Sequence, residues 1–316
     1  MDQLLTSDFS DVILPPLPDI RGMISQSERR FYYHLTADVH TGAGQVVEIG
    51  TWLGCSTLHL AAGLRDGGRR VGGQVAKVHA FDDYTWRPGM EVKTNINLEF
   101  GESFLPFFIR NTAPLAAHIT ATAASVAQLG WPREEARAED RIEILVVDAP
   151  KSWKGVRNLF QQLSPYFIPG KTIITFQDYL LFPSFEIAMF VAYLEWLTPV
   201  WVTRDGWSVA FRVGAEAAPF DDAASKTYRT MTVEKIVDLW DRILRPLPPE
   251  ARRKLAPALP LVLWDMGFKD IAEDRAKVME MDSQSAAFLL KKTEKKKQEE
   301  AFAWIRSKLQ ENLDRI

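Results

Sequence analysis

The sequence predicts an α/β protein with a Rossmann-like doubly wound sheet of seven strands, the last of them antiparallel. Between residues 45 and 200, short apolar runs rich in β-branched residues alternate with amphipathic stretches. This pattern is typical of parallel strands joined by helices. Asp205-Gly206 separates two further apolar runs and is a good hairpin signal. After residue 214 the chain contains helical patterns only, so we expect a C-terminal helical appendage.

Composition limits the class of protein further. The chain of 316 residues has a formal charge of −3, which argues against a general nucleic-acid binder. Its single cysteine, Cys55, excludes an intramolecular disulfide, and we expect it to pack in a tight loop rather than to react. No apolar run reaches the ~20 residues that a transmembrane helix needs. We therefore expect a soluble, cytoplasmic protein without a membrane span.

We expect three parts along the chain. Residues 1–24 form an extended arm, because Pro15-Pro16-Leu17-Pro18 favours an extended backbone. Residues 25–214 form the α/β domain, and residues 215–316 form the helical region. An apolar stripe in the last helix, together with the arm, predicts a homodimer: Phe302, Ile305, Leu309 and Leu313.

Periodicity and capping residues predict the elements before residue 126. A helix over 25–39 has Ser25 or Ser27 as its cap. A second helix, over 98–110, is expected to break at Pro106. The other elements expected here are strands at 45–49, 75–81 and 118–122, an exposed turn at 63–73, a helix from Ser56 with Ser56 or Thr57 as its cap, and a helix from Ala123.

The same alternation continues after residue 140. Residues 142–147 are a buried apolar strand, and the helix that follows Lys154 has an apolar face. The other elements expected here are strands at 171–176, 200–203 and 207–213, and helices at 185–197, 233–244, 249–264, 269–279 and 283–316.

The domain is organised around a glycine loop between the first strand and the next helix. Gly50 and Gly54 bracket a tight turn, where backbone can approach a ligand and helix N–H groups can point at it. Their spacing matches neither the dinucleotide motif nor the P-loop, and an ordinary tight turn would also explain it. Glu48 is unusual in an apolar strand, and hydrogen bonds from a ligand's hydroxyl or ammonium groups would justify its burial.

Two later strand ends also carry polar residues. Asp82 ends the second strand, where a carboxylate suits the hydroxyl groups of a ribose, and a turn or capping aspartate is the alternative. Asp82 is preferred to Asp83 because it is nearer to the strand end. After the third strand, beside Ala124, the chain offers only the Ser125 hydroxyl and backbone groups to a ligand.

Together these motifs resemble the class I S-adenosylmethionine (SAM) dependent methyltransferases. The stretch 147–156, in which Asp148 ends a strand, and Gln177-Asp178-Tyr179 resemble one subgroup in particular. That subgroup contains macrocin-type sugar O-methyltransferases and cephalosporin-hydroxylase-like proteins, and the resemblance covers about residues 40–213. It implies that SAM is bound by Glu48, Gly50, Thr51, Gly54, Ser56, Thr57, Asp82, Ser125 and Asp148.

The subgroup's metal-dependent members hold a divalent cation with acids at both strand ends. By position, the resemblance implies Mg²⁺ ligands at Asp148, Gln177 and Asp178, and a catalytic set of Lys151, Asp148 and Asp178. The chain departs from the pattern at Pro150, where sugar-methylating relatives have an acid that acts as base, and at Lys151, which replaces a frequent histidine. Lys151 is either a proton acceptor with a depressed pKa or a charge partner of Asp148 that replaces the metal.

The leading hypothesis is a SAM-dependent O-methyltransferase that acts on a hydroxyl of a sugar, glycan or secondary metabolite. Many methyltransferases have an acid or amide for the adenine amino group where this chain has Ala124 and Ser125. The departures at Pro150 and Ala124 favour an alternative: a catalytically weak or inactive methyltransferase-like domain that serves as an assembly or binding component. A nicotinamide oxidoreductase is disfavoured because the chain lacks its glycine motif. The partner expected for the leading hypothesis is a small-molecule or glycan acceptor.

Overall fold

The computed structural model describes residues 8–91, 94, 96–132, 140–181, 184–216, 227–256 and 258–268. The helices expected over 269–279 and 283–316 lie outside this part of the chain. So does the apolar stripe expected in the last helix. Within the described part, no helix is long and apolar enough to cross a membrane.

A mixed sheet of seven strands forms the centre of the domain. The strands of the protein are β1 (Gln45–Ile49), β2 (Arg70–Val71), β3 (Gln74–Val75), β4 (Val78–Asp82), β5 (Ile119–Ala123), β6 (Ile142–Val147), β7 (Ile173–Phe176), β8 (Leu197–Val202) and β9 (Val209–Val213). The order in the sheet is β5-β4-β1-β6-β7-β9-β8. The first five strands in this order (β5, β4, β1, β6 and β7) pair in parallel, whereas β9 runs antiparallel to both β7 and β8. The predicted fold class is therefore confirmed.

Helices cover both faces of this sheet. They are α1 (Gln26–His34), α2 (Cys55–Asp66), α3 (Leu105–Thr112), α4 (Trp153–Leu163), α5 (Phe185–Tyr193), α6 (Val233–Leu244), α7 (Pro249–Leu255) and α8 (Ala258–Asp265). Side chains of α1, α2 and α3 form one apolar core, and those of α4 to α8 form the other. Strand β6 lies between the two cores and is buried at all six positions, which is why all of its residues except Glu143 are apolar.

The helices after residue 227 extend the core of the α/β domain. Ile236, Leu239 and Trp240 of α6 are at most 2% exposed, and they belong to the same cluster as Phe160 and Phe190 of α4 and α5. The boundary at residue 214 stays a prediction. Cutting the chain there would expose apolar surface of α4 and α5. A truncated chain could therefore lose activity simply because it is less stable.

The extended arm lies on the domain. Residues 12–22 have no regular secondary structure, as the prolines predict. The Phe9 ring lies 5.5 Å from that of Phe31 and 5.8 Å from that of Trp201, between ring centroids. Ile20 is buried, and Gly22 packs directly on Cys55, because a Cβ on Gly22 would lie 2.6 Å from the cysteine Cβ. Burial raises the pKa of Cys55 to about 11, so its thiol stays protonated, as a packing residue requires.

Several predicted boundaries were wrong, for local reasons. The turn expected at 63–73 contains a short hairpin of β2 and β3, because Gly72 and Gly73 both have positive φ, as a tight hairpin turn demands. The next strand therefore begins at Val78, not at 75. Pro106 does not break a helix but stands in the first turn of α3. The N–H groups of a first turn have no partner within the helix, so the missing N–H of proline costs no hydrogen bond there. Residues 124–130 form a loop instead of the helix expected from Ala123.

The predicted cap of α2 was also wrong. Gly54 is the N-cap, with φ of 93°, and no side chain caps the helix. A Cβ on Gly54 would lie 2.6 Å from Thr112 Cγ2 of α3, so the position suits glycine for both its conformation and its space. Thr57 is then free of a capping role and donates its hydroxyl to Glu48 Oε2 at 2.5 Å.

Glu143, at the start of β6, holds the loop that leads into β1. Its Oε1 accepts from the backbone N–H and the hydroxyl of Thr41, both at 2.7 Å. Its Oε2 accepts from the N–H groups of Ala43 at 2.8 Å and Gly44 at 3.2 Å. The residue is 4% exposed. Four hydrogen bonds to one buried carboxylate make this loop dependent on a residue about a hundred positions away.

We expect Glu143→Ala to lower the free energy of unfolding by about 3 kcal/mol, because four donors lose a buried charged acceptor. Glu143→Gln should be nearly as damaging, since its amide nitrogen cannot accept from the loop. Urea denaturation measures both changes. Glu216→Ala, on the exposed chain after β9, is the control and should change stability by less than ~0.5 kcal/mol. An equally small change for Glu143→Ala would refute the role of this carboxylate.

Candidate active site

A cleft of about 470 Å³ opens at the carboxyl ends of the parallel strands. The ends of β1, β4, β6 and β7 all reach it, and each contributes side chains to its wall. Such an edge is where α/β sheets bind ligands, because the strand order reverses there and the loops diverge. The candidate residues predicted from these strand ends are therefore brought together around one cavity.

The glycine loop forms one wall of the cleft. Ile49, Gly50 and Trp52 line the cavity. Gly50 has φ of +84°, and a Cβ there would lie 2.8 Å from the backbone nitrogen of Ala149. No other residue fits this place, because the loop after β1 touches the loop after β6. Trp52 also has positive φ, at 48°, and its ring lies 6.3 Å from that of Trp86 between centroids.

Asp82 lines the cleft and supports the glycine loop from β4. Its Oδ2 accepts from the N–H groups of Thr51 at 2.8 Å and Trp52 at 3.1 Å. Its Oδ1 accepts from the N–H of Tyr84 at 2.9 Å. Burial raises the pKa of Asp82, although these three hydrogen bonds act in the opposite direction. The aspartate is thus built into the fold as well as facing the cavity.

Glu48 lies behind the loop. It is 0% exposed, and Thr57 donates to its Oε2, whereas Oε1 is buried without a hydrogen-bond partner. Burial raises the pKa of Glu48 to about 8, against the hydroxyl groups of Ser56 and Thr57, which lower it. Glu48 is thus mostly protonated at neutral pH. The expected contact between its carboxylate and a ligand needs correction, because the cleft-lining part of this loop is Ile49, Gly50 and Trp52.

Most of the remaining residues predicted to contact SAM lie behind the glycine loop, not in the cleft. Thr51, Ser56 and Thr57 are buried, and Gly54 starts α2 against α3, so these residues shape the loop from behind. Ser125 is exposed and stands between Ala124 and Val126, which line the cleft. At this strand end, the wall of the cavity is therefore apolar, and the predicted hydroxyl contact stays without support.

Lys151 joins the ends of β6 and β7. Its Nζ lies 2.6 Å from Asp148 Oδ1 and is also in ion-pair contact with Asp178 Oδ2. All three residues line the cleft. Burial acts to lower the pKa of Lys151, but attraction and hydrogen bonds from the two carboxylates outweigh it, so the pKa is raised. Two roles were predicted for Lys151. The structure favours a charged lysine that pairs with Asp148 over a neutral lysine that accepts a proton.

The predicted Mg²⁺ ligands do not form a metal site. In the described part of the chain, no group of three or more His, Cys, Asp or Glu side chains is placed to hold a metal ion. Gln177 lines the cleft and is 8% exposed, but its buried Nε2 is a donor without an acceptor. The place between Asp148 and Asp178 is taken by the ammonium group of Lys151. Asp148, Gln177 and Asp178 therefore do not suit Mg²⁺.

The opposite wall of the cleft was not predicted from the sequence. It comes from the N-terminus of α1 and from the hairpin between β8 and β9, which contribute Glu28 and Trp207. Glu28 Oε1 accepts from the N–H groups of Trp207 and Ser208, each at 3.2 Å, and from the Ser208 hydroxyl. Trp207 is 39% exposed. Lys254 of α7 stands 5.2 Å from its ring centroid and donates to Gly206 O at 2.8 Å.

A short signal for this wall did exist. Ser25-x-x-Glu28 is a capping box, and both of its hydrogen bonds are present. The motif predicts the helix start, but it does not reveal that Glu28 Oε1 reaches a hairpin 180 residues further along the chain.

Comparison with known proteins identifies the segment that carries these features. Residues 47–179 match the family model described as a methyltransferase domain. This segment is similar to a methyltransferase domain. It runs from β1 to the residues after β7, and so includes the glycine loop, Asp82 and the Lys151 pair of carboxylates. The match confirms the resemblance to class I SAM-dependent methyltransferases. No curated protein sequence matches the chain.

Solved structures similar to the methyltransferase domain have low sequence identity. The O-methyltransferase NovP is 15% identical, with 60% of this chain and 78% of that chain covered, and a TM-score of 0.43. The apo structure of CalS11, a TDP-rhamnose 3'-O-methyltransferase of calicheamicin biosynthesis, is 15% identical over 58% and 76%, with a TM-score of 0.39. PaMTH1 of Podospora anserina, bound to S-adenosylhomocysteine (SAH), is 15% identical over 60% and 80%, with a TM-score of 0.41. At this distance they assign no role to a residue.

The raised pKa of Glu48 predicts a pH-dependent stability in the methyltransferase domain. Its pKa is about 8 in the folded protein and 4.5 as an ordinary glutamate. Between these values folding keeps a proton that the unfolded chain releases, so stability decreases as pH rises. Relative to Glu48→Gln, the wild type should lose up to ~1.4 kcal/mol per pH unit in this window. Urea denaturation at a series of pH values measures the difference, and a pH-independent difference would mean that Glu48 is ionised when buried.

Proposed function

We propose that the protein is a SAM-dependent O-methyltransferase that acts on a hydroxyl of a sugar, glycan or secondary metabolite. The observation that carries the proposal is a single cavity. One wall is the glycine loop with Asp82, and the other contains Lys151 between Asp148 and Asp178. A methyl donor and a hydroxyl acceptor need to meet in one enclosed place, since the reacting atoms must be aligned.

The walls near Asp82 suit the nucleoside part of SAM. Phe81, Ala124 and Val126 offer apolar surface for an adenine ring. A carboxylate can accept about four hydrogen bonds, and three backbone N–H groups occupy Asp82. This leaves room for a ribose hydroxyl. When bound, SAM supplies an electrophilic methyl group on a sulfonium ion.

The charge of the cleft favours this cationic donor. Among the described residues, five carboxylates line the cavity: Glu28, Asp82, Asp83, Asp148 and Asp178. Two cations, Lys151 and Arg87, line it as well. The excess negative charge attracts a sulfonium ion, and it attracts the neutral sulfide product less. Donor binding and product release are therefore both supported by the same electrostatics.

The acceptor hydroxyl would lie beside Lys151 and a carboxylate of Asp148 or Asp178. As its oxygen forms a bond to the methyl carbon, the carbon–sulfur bond breaks and both bonding electrons go to sulfur. The hydroxyl proton passes to the carboxylate, because the charged ammonium of Lys151 has no lone pair to receive it. The products are the methyl ether and SAH.

Isothermal titration of the full chain with SAM and SAH tests the donor half of the proposal. We expect saturable binding of one molecule per chain, with SAM preferred at low ionic strength because of its positive charge. No heat and no thermal shift at millimolar ligand would remove the enzyme reading and leave the alternative, a methyltransferase-like domain that works in assembly or binding.

Asp82 and Asp83 provide a matched pair for locating the nucleoside. Asp82→Asn should weaken SAH binding roughly tenfold or more, because a hydroxyl loses a charged acceptor. Asp83→Asn should change the affinity by less than about threefold, since Asp83 pairs with the exposed Arg87. Titration calorimetry measures the affinity, and urea denaturation checks that both variants keep their fold. The reverse order of effects would show that the ribose is not held at the end of β4.

A further inference from the structure

We infer that Lys151 occupies the place of a divalent cation in this domain, so that methyl transfer proceeds without a metal ion. A second part rests on the proposed function: the ammonium group of Lys151 then donates a hydrogen bond to the acceptor oxygen. The cation between the acids at these two strand ends is a side chain of the protein itself.

Two carboxylates from different strands converge at this place. Asp148 follows β6 and Asp178 follows β7, and both have an oxygen in contact with the same Lys151 nitrogen. Their side chains are 21% and 22% exposed. Two carboxylates this close in a partly buried cleft repel each other unless a cation separates them. The ammonium group supplies that cation.

The other potential ligands also argue against a metal ion. Mg²⁺ needs about six oxygen atoms in near-octahedral geometry at ~2.1 Å. Pro150, beside the lysine, has no side-chain oxygen to offer. Lys151 contacts both Asp148 and Asp178 and lies between them. With the lysine in this position, the two carboxylates have no place for Mg²⁺ between them.

Lys151 has the means to contact an acceptor as well. An ammonium group has three N–H donors, and the two carboxylates take two of them. The lysine side chain is 38% exposed and lines the cleft, so the third donor is available to a ligand oxygen. One residue thereby neutralises the acids and positions the hydroxyl.

Binding of Mn²⁺ tests the inference without knowledge of the acceptor. We propose to titrate Mn²⁺ into the full-length wild type, Lys151→Ala and Lys151→Met, and to follow free Mn²⁺ by electron paramagnetic resonance. The wild type should bind no Mn²⁺ at this place. Both variants should bind it saturably, because they lack the ammonium group that lies between the two carboxylates in the wild type. Adding Asp178→Asn to either variant should abolish the binding.

The outcomes separate cleanly. Binding of Mn²⁺ to the wild type that Asp178→Asn abolishes would overturn the inference, and so would variants that keep their fold and bind no Mn²⁺. Near-ultraviolet circular dichroism shows whether each variant is folded, and the methionine variant retains most of the lysine's apolar stem. SAH titration of the same samples is read separately. If the wild type does not bind SAH, the proposed function is wrong, but the Mn²⁺ titration still tests whether Lys151 takes the place of a cation.

Discussion

The close approach of the glycine loop to the end of β6 is the constraint on which the cleft depends. The Ile49 carbonyl accepts from the N–H groups of Asp148 at 2.8 Å and Ala149 at 3.1 Å, and the Gly50 N–H donates to Phe81 O at 2.8 Å. A side chain at position 50 would have to displace the backbone of Ala149. Because three strand ends are joined in this way, residues far apart in sequence face one cavity with little freedom to move.

Four buried or half-buried acids around this edge are stabilised by different means. Glu48 keeps its proton, because burial outweighs two hydroxyl donors. Asp82 and Glu143 accept backbone N–H groups, and Asp148 is paired with a lysine. Burying a charge is costly unless it is neutralised or solvated by the protein. The protein therefore stabilises these acids in three ways: by protonation, by backbone N–H donors and by an ion pair. Each acid depends on its own surroundings, so none could take the place of another.

Much of the architecture was predictable, because it depends on local patterns. The alternation of apolar runs predicted the strands, and Asp205-Gly206 predicted the antiparallel end of the sheet. The boundaries failed where one residue has two meanings: Pro106 was expected to break a helix and instead stands in its first turn. Strand ends also predicted which acids meet. Their pairing with Lys151 was one of two alternatives, since the sign of its pKa shift depends on distances that no pattern contains.

Other parts of the site could not be predicted, because they are contacts between distant segments. The reach of Glu28 to the hairpin that carries Trp207 spans 180 residues, and a capping box looks the same with or without it. Likewise, nothing near Glu48 in the sequence indicates that it lies behind the loop instead of in the cavity. The alternation of side chains along a short strand identifies a face, but it does not reveal what the next layer contains.

Lys254 gives the helical region a place in the architecture of the cavity. It belongs to α7, yet its ammonium group donates to the carbonyls of Arg204 and Gly206, at 3.1 and 2.8 Å. The hairpin is thus held from below by a helix and from the side by Glu28. The segment that follows the methyltransferase match in the chain is therefore part of the scaffold around the candidate active site. A related protein without this segment would need other contacts to hold the β8–β9 hairpin in place.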